Sequence, residues 1–150
     1  MGTADTAAIS SCSYRLKVGT NAKNGYLVSF LTSGALTDGS YLMTDAAAGA
    51  TGTAIASGTE TYGVNITPGS ITAPGGTMTL STAYSTLASN VVRYNTSLNT
   101  TILTANKPNS PAASADTTNT SLVTHKLAIS TNTNAGNFTQ SVTYFVSPSF

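Results

Sequence analysis

The sequence predicts an all-β fold, an Ig-like or Greek-key β-sandwich of about seven to nine short strands in a single domain. Three observations favour it: runs in which apolar and polar residues alternate, breaks rich in Gly, Pro and Asn between those runs, and a near absence of helix-period patterns. A chain of 150 residues can bury one core. We expect an N-terminal arm or added strand over 1–11 and the sandwich domain over 12–150.

Alternation places the predicted strands along the chain, beginning with a half-buried strand over 12–18. A turn cluster at 21–25 leads into a second strand over 26–31, which we expect to pair antiparallel with the first. Asp38-Gly39 indicates a tight turn. Further strands are predicted over 41–43, 62–66, 77–84, 91–94 and 101–104, with surface loops over 45–59 and 105–121.

The C-terminal segment 122–146 has the pattern of a β-hairpin, with two alternating runs around a polar, Gly-containing break. One face of its first run carries Val123, His125, Leu127 and Ile129. One face of its second run carries Phe138, Gln140, Val142 and Tyr144. The intervening threonines and serine of the second run suit the solvated side of a strand.

Charge is unusually scarce, since 7% of residues are charged against roughly 25% in ordinary soluble domains. Solvation then depends on hydroxyl and amide groups, which we associate with extracellular or assembled proteins. The few basic residues are scattered, so no basic stripe predicts nucleic-acid binding, and no apolar run approaches a membrane span. With so little charge to protect its sheet edges, the fold is open to assembly by strand addition.

No catalytic constellation is visible, so the sequence predicts a protein that is not an enzyme, with no cofactor and no metal. His125 is the sole histidine, and we interpret it as a core or edge residue that makes one hydrogen bond. The five acids are scattered, and there is no nucleophile elbow or Gly-rich phosphate loop. The carboxylates are Asp5, Asp38, Asp45, Glu60 and Asp116.

The single cysteine, Cys12, cannot form an internal disulfide. We expect it to be a small buried residue at a strand start, with an intermolecular disulfide as the alternative. Segment 1–11 lacks the basic and apolar regions of a signal peptide. We therefore interpret Met1 as a cloning start on a chain whose native leader has been removed.

Two stretches resemble a known class of surface protein. Segment 135–146, from Ala135-Gly136-Asn137-Phe138 to Val142-Thr143-Tyr144, resembles the A-G-x-[YF]-x-x-x-[VI]-T-Y final strand of secreted bacterial β-sandwich proteins, which include spore coat U-like and fimbrial subunits. Asn24-Gly25-Tyr26 with Leu36-Thr37-Asp38-Gly39 is similar to an early segment of the same proteins. The resemblance implies an extracellular structural subunit. The chain departs from it in having no second cysteine to pair with Cys12.

The sequence thus leads us to expect a non-enzymatic structural subunit of an extracellular filament, pilus-like fibre or surface coat, built from copies of itself through β-strand edges. The residues expected to take part in assembly are Ile9, Cys12, Phe138, Val142, Tyr144 and Phe150. One alternative is a virion structural protein, such as a phage decoration or fibre domain. The other is a carbohydrate-binding adhesion module for surface glycans, whose candidate stacking rings are Tyr41, Tyr62, Tyr84 and Tyr94.

Overall fold

A computed structural model of the chain describes residues 2–47, 52–85, 91, 100–109 and 118–150. Within these residues it contains seven strands and one helical turn. They are β1 (Ser10–Lys17), β2 (Tyr26–Thr32), β3 (Thr61–Thr67), β4 (Met78–Leu80), α1 (Thr82–Ser85), β5 (Thr100–Ala105), β6 (Thr120–Ala128) and β7 (Val142–Pro148).

The strands form two antiparallel sheets, which confirms the all-β sandwich prediction. One sheet has three strands in the order β1-β6-β3, and the other has four in the order β4-β5-β2-β7. The predicted strands over 12–18, 26–31, 62–66 and 101–104 all correspond to observed strands. Alternation is clearest in β2, where Tyr26, Val28, Phe30 and Thr32 are buried and the residues between them are not. In contrast, β3 is buried at four successive positions, and no residue of β1 is buried.

The main core lies between the two sheets, which bury their facing sides against each other. The four-stranded sheet contributes Val28, Phe30 and Leu103, and the three-stranded sheet contributes Val64 and Val123. None of these five side chains exceeds 1% exposure. Such burial supplies the main stabilising term of a fold with so few charges.

A β-bulge in β5 adds to this core. The β2–β5 register shifts between Val28 and Ser29, because Val28 lies opposite Leu103 whereas Ser29 lies opposite Thr101. Ile102 is therefore the extra residue of the bulge. Ile102 and Leu103 are both buried, so the bulge adds two successive apolar side chains to the core.

The predicted C-terminal hairpin is wrong. β6 pairs with β1 and β3, whereas β7 pairs only with β2, so the two runs belong to different sheets. The faces assigned to each run were nevertheless correct, since Val123 and Leu127 of β6 are buried and Tyr144 of β7 packs against the main core. The two apolar faces pack against each other across the sandwich, which a side-by-side hairpin would prevent.

Other sequence-based predictions also need correction. β1 and β2 are not paired with each other, because β1 pairs with β6 and β2 with β5 and β7. The strand predicted over 77–84 ends at Leu80, and one helical turn follows in which Tyr84 is buried. The loop predicted over 45–59 is not wholly superficial, since Ala46 is 2% exposed and donates its N–H to the Tyr62 carbonyl.

Some predictions fall partly on residues that the structure does not describe. Of the predicted strand 91–94, only Val91 is described; it is buried and forms a bridge with Thr53. Residues 92–94 lie outside the described residues, as do 48–51 of one predicted loop and 110–117 of the other. Met1 and Asp116 also lie outside them.

The described ends of the segment between β5 and β6 are held by two buried asparagines. The Asn109 side-chain amide donates to the Val18 carbonyl at 3.0 Å and to the Tyr26 hydroxyl at 3.2 Å. Asn119 has a left-handed backbone, with φ of 58°, a conformation that asparagine tolerates better than most residues. Its side chain bonds both the N–H and the hydroxyl of Thr72. The predicted loop 105–121 is therefore anchored at both ends by polar core contacts.

Candidate assembly edge and the polar seam behind it

Four strands end the two sheets, and they differ in how far their outer edges are covered. The outer edge of β3 is bonded by a neighbouring segment, because the Tyr62 N–H donates to the Thr44 carbonyl and the Tyr62 carbonyl accepts from Ala46. β4 has only three residues. Among the described residues, β1 and β7 are therefore the longest strands that have a paired strand on one side only.

β7 has the features of an unprotected edge. It contains no charged residue, whereas β1 carries Arg15 and Lys17. Two large apolar side chains of β7 are exposed, Phe145 at 41% and Val146 at 46%. Natural edge strands are commonly protected by charge, and β7 lacks that protection.

Hydrogen bonds at the two ends of β7 show which backbone groups point outward. The Ser141 carbonyl accepts from Ser33, and Ser149 donates its N–H to the Gly25 carbonyl, so the odd-numbered positions bond toward β2. In an antiparallel strand the backbone direction alternates, so the N–H and C=O groups of Val142 and Val146 point toward the outer edge. Pro148 follows the same parity, and a proline is expected where no N–H is needed for pairing within the sheet.

The residues predicted to take part in assembly lie in three places. Val142 and Tyr144 are on β7, opposite Thr32 and Phe30 of β2. Cys12 is exposed on β1, which corrects the expectation that it is buried; it lies at the N-terminal half of an edge strand. The remaining three are Ile9, 42% exposed just before β1, Phe138 in the second core cluster, and Phe150, 88% exposed after β7.

β1 and β7, which each end one of the two sheets, contact each other through their side chains. The hydroxyls of Tyr14 and Tyr144 are hydrogen-bonded, and their rings pack edge to face. The Tyr144 ring also packs edge to face on Phe30, with centroids 6.3 Å apart. The structure therefore joins β1 to β7 at this side, whereas Phe138 lies away from that contact, against Tyr41.

A chain of polar side chains, which we term the polar seam, continues inward from this contact through Tyr14, His125, Tyr62 and Gln140. His125 Nδ1 is 2.9 Å from the Tyr62 hydroxyl, and Nε2 is 3.5 Å from the Tyr14 hydroxyl. Tyr62 donates to Gln140 Oε1 at 2.9 Å, and Gln140 donates to the Gly34 carbonyl at 2.5 Å. His125 thus has two side-chain contacts, where the sequence suggested one.

The bonds of the seam determine the state of the imidazole. Because the single Tyr62 proton goes to Gln140, the Tyr62 oxygen accepts from His125, which places the ring proton on Nδ1. Burial lowers the pKa of His125 below its usual value, and burial also raises the pKa of the Tyr62 hydroxyl. Both groups are therefore neutral near pH 7. The seam links the three strands of one sheet to the connections that carry Gln140 and Gly34.

Glu60 is held by four hydrogen bonds in an arrangement that we term the Glu60 clasp. Its Oε1 accepts from the Thr44 N–H at 2.9 Å and the Thr44 hydroxyl at 2.8 Å. Its Oε2 accepts from the Tyr41 hydroxyl at 2.7 Å and the Thr133 hydroxyl at 2.6 Å. Partial burial by itself would raise the pKa of Glu60, but these bonds lower it to about 2. The carboxylate thus joins the segment 41–44 to the connection between β6 and β7.

Asp38 lies where segments 24–39 and 135–146, the two stretches that resemble surface proteins, come together, and its contacts account for glycine in them. Its Oδ1 accepts from the Tyr41 N–H at 2.8 Å and the Ser40 N–H at 2.9 Å, and these bonds lower the pKa of Asp38. A Cβ on Gly136 would overlap the Asp38 carboxylate, so only glycine allows this approach. Gly39 has φ of 97°, which confirms the predicted tight turn. The two stretches meet in space and serve packing.

A groove of about 790 Å³ lies beside the N-terminal arm. Its apolar floor is the second core cluster, which includes Leu36, Met43 and Leu127, with Phe138 packed against them. Residues 2–4 and Thr6 form one wall, and Ala4 packs against the same cluster. The arm is thus placed against the sandwich, and β1 begins at Ser10 within the segment 1–11.

The tyrosines proposed as glycan-stacking rings are mostly unavailable for that role. Tyr62 and Tyr84 are each 3% exposed, and Tyr41 packs edge to face against Phe138. Tyr94 lies outside the described residues. A stacking platform needs an accessible ring face, and these described rings do not form one.

The described part of the chain has neither a metal-ligand cluster nor a membrane-spanning helix. It contains no group of three His, Cys, Asp or Glu side chains placed to hold a metal ion. None of its helices has the length and apolar character needed to cross a bilayer.

Comparison of the chain with protein-family models, with curated proteins and with solved structures found no match. The resemblance of segments 24–39 and 135–146 to secreted bacterial surface subunits therefore remains an interpretation of the sequence.

Sequence reasoning missed two residues of the candidate edge, Phe145 and Val146. Both lie at the end of the second alternating run and were not singled out there; they are 41% and 46% exposed on a strand that ends its sheet among the described residues. The available signals were the absence of charge over 142–148 and Pro148 at its end, both typical of an edge strand.

Proposed function

We propose that this protein is a non-enzymatic structural subunit of an extracellular filament, pilus-like fibre or surface coat, and that copies of it associate through β-strand edges. The observation that carries the proposal is β7, an uncharged edge strand with exposed Phe145 and Val146 and outward-pointing backbone groups. Among the described residues no strand pairs with the outer edge of β7, and an edge of this kind is a template for pairing with another chain.

The roles of the reactive side chains support a structural function. The lone histidine is held between Tyr14 and Tyr62, and the Glu60 carboxylate is saturated by hydroxyl and amide donors. Each of these groups links separate segments of the fold. Only 7% of the residues are charged and hydroxyl side chains are abundant, which agrees with an extracellular assembled protein.

Light scattering after size exclusion, together with electron microscopy, tests the proposal on the purified chain over a range of concentrations. We expect oligomers or fibres that grow with concentration. Val146→Lys, which places a charge on the β7 edge, should shift the association midpoint at least about tenfold upward, since charge protects edges from pairing.

The matched control is Ser57→Lys, which adds the same charge at an exposed residue of the turn between Ala56 and Thr59. It should associate as the unmodified chain does. A chain that remains monomeric at every concentration, or a Ser57→Lys variant as impaired as Val146→Lys, would contradict assembly through this edge.

A further inference from the structure

We propose that β7 pairs antiparallel with β7 of a second copy about a two-fold axis, so that Val142 of one copy lies opposite Val146 of the other. This inference rests on the proposed function and specifies the partner and register of one of its contacts. Because a two-fold contact closes a dimer, growth into a fibre or coat requires a second contact between dimers. The result is one continuous eight-stranded sheet across two copies, since each contributes four strands.

The direction of the backbone groups limits the possible registers. Val142 and Val146 both point their N–H and C=O groups outward, so they can exchange two hydrogen bonds when they lie opposite each other. The two-fold axis repeats this pair, so Val142 and Val146 form both the first and the last pair of the ladder.

Pro148 disfavours one of the two neighbouring registers. A shift of two residues in one direction would place Pro148 opposite Val142, and proline has no N–H to donate to the partner. With Val142 opposite Val146, Pro148 lies beyond the paired segment. The proline then ends the ladder without removing a bond from it.

Charge makes β7 compatible with itself. An isologous strand pair places each residue near its own copy or a close neighbour, and like charges directly opposite are destabilising. β7 has no charged residue, so this repulsion is absent. β1 carries Arg15 and Lys17, and charge on an edge strand disfavours its pairing, which favours β7 as the self-pairing edge.

The same register makes a prediction for the outer face of the joined sheet. Thr143 and Phe145, both exposed, lie opposite each other across the interface, because the register that pairs residue 142 with 146 also pairs 143 with 145. The apolar Phe145 ring is then partly covered by the Thr143 methyl group of the other copy. Cross-strand contacts of this type stabilise sheets.

Disulfide mapping tests the register. In a Cys12→Ser background, Thr143→Cys and Phe145→Cys are made as separate variants, mixed and oxidised. The mixture should give a crosslinked heterodimer of distinct intact mass, because directly opposite Cα atoms lie within disulfide range. Each variant alone should crosslink at least about tenfold less, since its own copies are diagonal neighbours about 7–8 Å apart. Ser57→Cys mixed with either variant is the control and should not crosslink.

Self-crosslinking of either single variant, without enrichment in the mixture, would overturn this register. Assembly of the unmodified chain without any crosslink in the mixture would overturn β7 self-pairing and leave the proposed function intact. Absence of assembly in the unmodified chain would remove both.

Hydrogen exchange on the unmodified chain makes the test independent of the folding of the cysteine variants. The amides of Val142 and Val146 should exchange at least about tenfold more slowly in the assembled state than in the dilute state. The amide of Phe145, which already bonds toward β2, should change much less. Equal exchange of the Val142 and Val146 amides in both states, with assembly present, would refute the pairing.

Discussion

Replacing Glu60 with glutamine tests whether the Glu60 clasp stabilises the fold through its charge. The variant keeps the size of the side chain and removes the carboxylate that accepts four hydrogen bonds from Tyr41, Thr44 and Thr133. We expect the free energy of unfolding to fall at pH 7, because a hydrogen bond to a charged acceptor is stronger than one to a neutral acceptor.

The magnitude follows from the pKa of Glu60, which folding lowers from 4.5 to about 2. At about 1.4 kcal/mol per unit, the full shift would correspond to about 3 kcal/mol. Glu60 is only partly buried, so solvent screening reduces this value, and we expect about 1–2 kcal/mol.

The direction of the Glu60 pKa shift gives the expected pH dependence of the free energy of unfolding. A carboxyl group whose pKa is lower in the folded state stabilises the fold above its unfolded pKa, and this contribution is lost as the pH falls through the folded pKa. The difference in unfolding free energy between the unmodified chain and Glu60→Gln should therefore be largest above about pH 5 and should shrink toward pH 2. Asp38 titrates in the same direction, but it is present in both proteins and cancels from the difference.

Urea unfolding at pH 7, 4 and 2.5 measures this difference directly. Asp5→Asn is the control, because Asp5 is a carboxylate outside the clasp that accepts a bond from the Ala7 N–H. It should change stability by less than about 0.5 kcal/mol. A Glu60→Gln effect that stays constant between pH 7 and pH 2.5 would refute the charge argument, and an effect no larger than that of Asp5→Asn would refute the clasp.

Three further outcomes are expected from other parts of the fold. Phe30→Ala should lower the free energy of unfolding by about 3–5 kcal/mol in urea titration, because it empties a fully buried site of the main core; a loss below about 1 kcal/mol would contradict that site. Gly25→Ala should lower the melting temperature sharply, since φ is 80° and a Cβ would overlap the Ala105 carbonyl, and an unchanged melting curve would show that the turn adapts. Burial lowers the pKa of His125, so its contribution to the free energy of unfolding is full above about pH 6.5 and falls at lower pH. His125→Gln should remove this part of the pH dependence. Identical plots of unfolding free energy against pH for the two proteins would show that the histidine is not linked to folding.

Several strands were predictable because alternation is visible in short stretches of sequence. β2, β3 and β5 were located in this way, and the inward faces of β6 and β7 were also assigned correctly. The helical turn after Leu80 was missed because only four residues form it, too few for a helical period to show.

The candidate edge was only partly predictable. Val142 and Tyr144 were singled out from their alternation, yet that pattern carries no information about which strand lies beside them. Cys12 was expected to be buried because a free cysteine usually behaves as a small hydrophobic residue, but this position on the edge strand β1 is exposed. The polar seam and the Glu60 clasp join residues far apart in the chain, so no local pattern indicated them.

By itself, the sequence determined that this protein is built from short strands with one apolar face each, because the direction of successive side chains is a local property of an extended backbone. Only the tertiary structure decided that β6 and β7 face each other across the core and that β7 ends its sheet. The physical reason is that strand partners are selected by which faces exclude water together, and this depends on contacts between distant residues.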